Sequence, residues 1–194
     1  EIIIQNLSEK NITKFTAVRF GNVLGSSGSV IPLFEKQISE KGPITLTHQE
    51  MTRYFMTVEE AAQLVIQAAA LKEKNKIFVL DMGKPIKILN LAKKMIDLSG
   101  YTWDKNNKNK EFIDIKETGL RPGEKLYEEL SFNNKFEKTV HPKIMILKED
   151  MEFDKNFITK IKKFENEYKS SSISKIDQIL RNIIKDFKPD KNKF

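Results

Sequence analysis

One stretch constrains the fold of this 194-residue chain more than any other. A β-rich run, Phe15 to Phe20, opens directly into a nine-residue loop, 21–29, holding three glycines and three serines, and then into a helix-forming run. The run lies between Asn11 and Gly21 and is predicted as a buried strand. The loop can take backbone angles closed to other residues and can approach a ligand closely. Ser29 stands where it could cap a helix running to about residue 40, which Lys41, Gly42 and Pro43 stop.

The same alternation continues. Apolar residues at 3, 4 and 7 give 1–10 a helical face, and 44–47 is a short strand candidate. The run Thr57-Val58-Glu59-Glu60 is a capping box heading an Ala-rich helix to about residue 71. Residues 76–81 read as a strand, 86–99 as a helix stopped by Gly100, and 111–116 and 143–147 as strands. Residues 154–188 read as two charged amphipathic helices with a serine-rich joint at 170–174. Such alternation predicts an α/β architecture with a parallel or mixed sheet over 1–150, followed by a charged helical tail over 151–194. There is no internal repeat.

Composition removes several classes of function. The absence of cysteine excludes a disulfide framework, a thiolate metal site and a cysteine nucleophile, and fits a reducing cytosol. No apolar run approaches the ~20 residues that cross a bilayer, and the longest, 61–71, is broken by Gln63 and Gln67. Much of the net charge of +7 lies in lysine-rich stretches at 105–110 and 185–193. A solvated lysine surface accounts for them, and nucleic acid is not an expected partner because aromatic and basic residues do not interleave in a reading motif. The chain starts at Glu1 without an initiator methionine, basic leader or cleavage site, so it reads as a piece with something upstream.

Three segments concentrate features that folding alone does not require: 19–29, 51–57 and 119–125. Asn22 follows a buried strand at its carboxyl end, where open α/β sheets bind ligands, although a tight strand-to-helix turn would also use it. Arg53 sits among apolar residues ahead of a capped helix, where its guanidinium requires a phosphate or a carboxylate such as Glu59. Arg121, fixed before a Pro-Gly turn, has the same choice between an anion and Glu124. Two arginines and a glycine-rich loop on one small domain suggest a diphosphate clamp, because planar bidentate donors suit two phosphoryl groups.

The remaining candidates carry less. His48 and His141 lack a third ligand at metal-site spacing, so no metal is expected, and His141 before Pro142 reads as a turn or core residue. Trp103 reads as a local anchor in a lysine-flanked loop. Tyr101 and Lys105 match the Tyr-x-x-x-Lys spacing of short-chain dehydrogenases only in a loop, and no Gly-x-Gly-x-x-Gly follows a strand. No complete catalytic apparatus is expected in this chain.

The runs 16–34, 51–58 and 119–130, with 141–145, resemble in order the signature of bacterial polysaccharide-biosynthesis nucleotide-sugar dehydratases, the capsule and flagellin-glycosylation UDP-N-acetylglucosamine 4,6-dehydratases. The resemblance covers about 1–148. It implies the carboxy-terminal portion of an extended short-chain dehydrogenase, a Rossmann-like α/β fold, with NAD on a separate amino-terminal Rossmann domain and a homo-oligomeric parent. It implies that Asn22, Arg53 and Arg121 contact the diphosphate of a UDP-sugar and that Glu124 meets the ribose or orients Arg121. Val30, Pro32 and Leu33 would wall the uracil with Thr45, Phe20 would lie near the nicotinamide, and the catalytic groups would precede Glu1. Some relatives carry amino-terminal membrane helices, which would leave this portion in the cytosol. A UDP-sugar epimerase shares the asparagine and arginines and is the alternative within the fold. A non-catalytic polyanion-binding module is the alternative outside it.

Overall fold

The computed structural model describes residues 1, 3–4, 13–71, 73, 75–130, 135–148, 156–184 and 187. The chain divides into two compact units, one of residues 18–73 with 77–148 and one of residues 1–17, 74–76 and 149–194.

The larger unit holds the mixed α/β architecture expected from the sequence. Strand β1 (Ala17–Arg19) leads into β2 (Asn22–Val23), then helix α1 (Val30–Ser39), β3 (Ile44–Leu46), β4 (Thr52–Arg53), β5 (Phe55–Met56) and helix α2 (Val58–Ala70). After β6 (Ile77–Leu80) and β7 (Ile86–Lys87) come helix α3 (Ile88–Leu98), β8 (Ile115–Glu117), β9 (Phe136–Lys138) and β10 (Ile144–Leu147). Four strands form one sheet in the order β1-β6-β10-β9, in which β10 runs antiparallel to both neighbours. Three small ladders surround it: β2 with β5 and β3 with β8, both parallel, and β4 with β7, antiparallel.

Two apolar clusters hold these pieces. Met56, Ala61, Leu64 and Ala68 pack with Phe78, Leu80, Ile144 and Ile146, so α2 covers the four-stranded sheet. Phe34, Ile38, Ile44, Leu46 and Met51 pack with Ile88, Ala92, Ile96 and Ile113, which joins α1 and α3 to the β3–β8 ladder. Burying side chains of this size stabilises by about 1.5–3 kcal/mol each.

Thr57 caps α2 as its position suggests, its hydroxyl accepting from the Glu60 amide at 3.1 Å. The other half of the capping box differs: the Glu60 carboxylate accepts from Lys143 Nζ at 2.7 Å. A charge-assisted bond to an ammonium is stronger than one to a neutral amide. The opposite face of α2 leaves Val58, Val65 and Ile66 exposed.

The expected strand at 111–116 begins later, at Ile115. Phe112 instead forms an isolated bridge with Thr102, and pairing with β3 sets the register. Residues 3 and 4 are helical, whereas most of the helix expected over 1–10 lies outside the described residues. In the smaller unit, α4 (Phe157–Glu167), a short 3₁₀ turn (Tyr168–Ser170) and α5 (Ile173–Ile183) match the two expected tail helices and their serine joint. Phe164 and Tyr168 stack with centroids 5.7 Å apart. Among the described residues, no helix is long and apolar enough to cross a membrane.

Candidate functional site

A cleft of about 270 Å³ opens in the larger unit where β2, α1, β3 and the 119–125 turn meet. Asn22, Val30, Leu33, Thr45, Arg53, Arg121 and Glu124 all line it. Two residues from the expected set do not. Pro32 is half-buried elsewhere on α1, and Phe20 lies 42% exposed in a separate groove with Val18, Arg19 and Leu130.

Asn22 is brought there by the β2–β5 ladder. Its amide donates to Tyr54 O at 2.8 Å, and the Leu24 amide to Met56 O at 2.9 Å. Gly21 makes this approach possible. A Cβ on Gly21 would stand 2.7 Å from Met82 Sδ and 2.8 Å from both Cβ and O of Tyr54. The glycine is required by space, and the Asn22 side chain has no hydrogen-bond partner among the described residues.

Arg53 is half-buried and heavily engaged. Its Nη1 donates to Thr52 O at 2.8 Å and Leu126 O at 3.1 Å, and its Nη2 to Lys125 O at 2.7 Å. Glu124 and Glu128 each bring a carboxylate oxygen to 3.8 Å. Its partners are therefore in the 124–128 segment, not at Glu59. Glu128 also accepts from the Tyr54 amide at 3.3 Å, and the Leu126 carbonyl takes the Thr52 amide at 3.3 Å. One guanidinium thus ties β4 to the turn that carries Arg121.

That turn is closed from within. The Glu124 carboxylate accepts from the Arg121 amide at 3.1 Å, and the Glu124 amide donates to Arg121 O at 3.0 Å. Gly119 and Gly123 take φ of +86° and +76°, the left-handed conformation that glycine adopts without steric cost. Glu124 thus holds the main chain of Arg121. The Arg121 guanidinium is exposed and has no hydrogen-bond or ion-pair partner among the described residues.

The apolar part of the cleft comes from Val30, Leu33, Phe34, Leu46, Met51, Phe55 and Ile88. Ser29 and Thr47 also line it and are absent from the expected set. Ser29 occupies the N-cap position of α1 but makes no side-chain cap bond, and its Oγ is buried without a partner among the described residues. Thr47 was within reach of the sequence, since alternation along a strand places it on the same side as Thr45. Both histidines serve turns: His48 Nδ1 accepts from the Glu50 amide at 3.0 Å and His141 Nδ1 from the Lys143 amide at 3.2 Å. Trp103 is anchored locally, with Nε1 donating to Asp97 at 3.2 Å and Lys93 Nζ 3.9 Å above its ring.

Residues 1–149 match the model of a family described as polysaccharide biosynthesis protein. The chain belongs to that family. It is 57% identical over 147 residues to the probable polysaccharide biosynthesis protein EpsC of Bacillus subtilis, covering 75% of this chain and 23% of that protein. It is 58% identical over 143 residues to the capsular polysaccharide biosynthesis protein CapD of Staphylococcus aureus, covering 73% and 22%. A UDP-glucose 4-epimerase of Rickettsia bellii is 36% identical over 124 residues, covering 64% and 33%. Among solved structures, Pen from Bacillus thuringiensis superposes with a TM-score of 0.63 at 36% identity, covering 77% of this chain and 45% of that one. The chain therefore spans about a quarter of the length of EpsC and CapD, and as a family member it is of the extended short-chain dehydrogenase type.

Proposed function

We propose that the cleft binds the UDP portion of a UDP-sugar and that the protein serves a nucleotide-sugar 4,6-dehydratase of surface-polysaccharide synthesis. The observation that carries this reading is the pairing of an unengaged guanidinium, Arg121, with an unengaged amide, Asn22, on one cleft whose other wall is apolar. A diphosphate is an anion that a guanidinium fork and a side-chain amide can share. A flat base with two ring carbonyls suits the apolar wall formed by Val30, Leu33 and Leu46.

Within this proposal the two arginines have different work. Arg121 meets the diphosphate directly. Arg53, its donors already taken by the 125 and 126 carbonyls, holds the turn that presents Arg121, and Glu124 sets the main chain of that turn.

The reaction oxidises the sugar at C4, eliminates water across C5 and C6 and returns the hydride to C6. NAD, held mainly outside these residues, would take up and return that hydride. The exposed ring of Phe20 offers a surface on which a nicotinamide can pack. The Rossmann portion, a homo-oligomeric state and a cytosolic location belong to the same proposal. The epimerase relative supports an alternative within the fold, in which the C4 ketone is reduced on its other face.

Incubating the whole enzyme with UDP-N-acetylglucosamine separates the two. Dehydration yields a 4-keto-6-deoxy product lighter by one water. An isomer of unchanged mass would sink the dehydratase assignment and favour epimerisation.

A further inference from the structure

Three hydroxyl side chains line the cleft, and their hydrogen bonds set them apart. Thr47 Oγ1 donates to Met51 Sδ at 3.1 Å, so its proton is engaged. Ser29 Oγ is buried at the head of α1. Thr45 is held by a residue outside the cleft: Gln37 Nε2 donates to Thr45 Oγ1 at 2.8 Å, and the Thr45 amide donates to Gln37 Oε1 at 3.1 Å.

This double contact fixes polarity. A main-chain N–H can only donate, so Gln37 must turn its oxygen to the amide and its NH2 to the hydroxyl. The Thr45 oxygen then gives a lone pair to Gln37 and keeps its own proton, which has no acceptor among the described residues. The neighbouring ladder supports this arrangement: Ile44 donates to Asp114 O and Leu46 accepts from Thr118, so in a parallel ladder the intervening Thr45 main chain faces away from β8.

We infer that Gln37 is a positioning residue that makes Thr45 a hydroxyl donor into the cleft, and that the site thereby selects a pyrimidine with a carbonyl at ring position 4, as in uracil, over one with an amino group there, as in cytosine. The inference rests on the nucleoside-diphosphate reading of the cleft. A carbonyl oxygen accepts from the Thr45 hydroxyl, whereas an amino group could use only the oxygen's remaining lone pair and would leave the hydroxyl proton without an acceptor. Gln37 does not itself line the cleft and acts only through Thr45.

The test is calorimetric titration with UDP and with CDP of the wild-type protein and of Gln37→Glu, Thr45→Val and Arg121→Ala, with a melting curve for each. Glutamate at 37 keeps the shape and the acceptor for the Thr45 amide, but its second oxygen accepts the hydroxyl proton and turns an oxygen lone pair to the cleft. The wild type should favour UDP by about tenfold, the worth of roughly one hydrogen bond. Gln37→Glu should erase or reverse that preference, and Thr45→Val should bring it near unity. If UDP still binds and Arg121→Ala still weakens it, an unchanged UDP-to-CDP ratio in Gln37→Glu overturns the role of Gln37 and leaves the diphosphate reading standing. Should Gln37→Glu fail to fold, an unchanged ratio in Thr45→Val overturns it equally. Failure of the wild type to bind either nucleotide overturns the diphosphate reading and this inference together.

Discussion

Arg53 on β4 donates to the carbonyl oxygen of Lys125 at 2.7 Å, across 72 residues of sequence. With its bond to Leu126, this makes Arg53 the fastener of the turn that carries Arg121, and it separates two arginines that the sequence presents as equivalent.

The separation predicts different phenotypes. Arg53→Ala takes a donor away from three carbonyls and two nearby carboxylates and should destabilise by about 1–3 kcal/mol in urea unfolding. Arg53→Lys should not restore it, because a single ammonium cannot span the carbonyls at 52, 125 and 126 as the planar fork does. Arg121→Ala should leave stability within about 0.5 kcal/mol of wild type, since its side chain is exposed and unengaged.

Gly21→Ala should be costly although it adds only a methyl group. The new Cβ would lie 2.7–2.8 Å from Met82 and Tyr54, contacts that force either the β2–β5 ladder or the Tyr54 backbone to shift. Overpacking of this kind costs about 1–3 kcal/mol, and the shift would carry Asn22 with it. A lowered melting temperature together with weaker UDP binding is expected. Wild-type values for both would show that the ladder does not place Asn22.

Thr57→Ala removes the cap of α2 and should cost about 1 kcal/mol. Thr57 does not line the cleft, so UDP affinity should be unchanged at temperatures where the variant is folded. An affinity loss matching the stability loss would contradict this division of roles.

Lys143 gives a pH dependence with a definite sign. Its hydrogen bond and charge contact with Glu60 raise its pKa above the ordinary 10.5. A raised folded-state value means that the pair contributes below about pH 10.5 and that the contribution fades as pH rises through the folded-state value. The stability difference between wild type and Lys143→Met should therefore be constant from pH 7 to about 9.5 and shrink above 10.5. Because both groups are exposed, added salt should also diminish it.

The sequence revealed most where period and punctuation agreed. In α2 the buried Ala61, Leu64 and Ala68 recur at helical spacing behind a capping residue, and Gly100 with φ +86° follows the end of α3. The two-residue ladders β2–β5 and β4–β7 are too short to show any periodicity, so 21–29 reads as a loop although it contains β2, and 51–57 gives no strand signal although it contains β4 and β5. Seven of the eight residues proposed from sequence for the UDP-sugar line one cleft. What each does there was not legible: Arg53 finds its partners more than 70 positions away, and Gln37 reaches Thr45 across the turn after α1. Such pairings depend on tertiary register, which local composition does not encode.

The most direct measurement is the dissociation constant of UDP for wild type and for Arg121→Ala, taken where both melt at the same temperature. A charge-assisted contact to the diphosphate predicts a loss of about 10- to 100-fold in the variant. Equal constants would mean that the exposed guanidinium at 121 does not meet the nucleotide, and would contradict the assignment of this cleft.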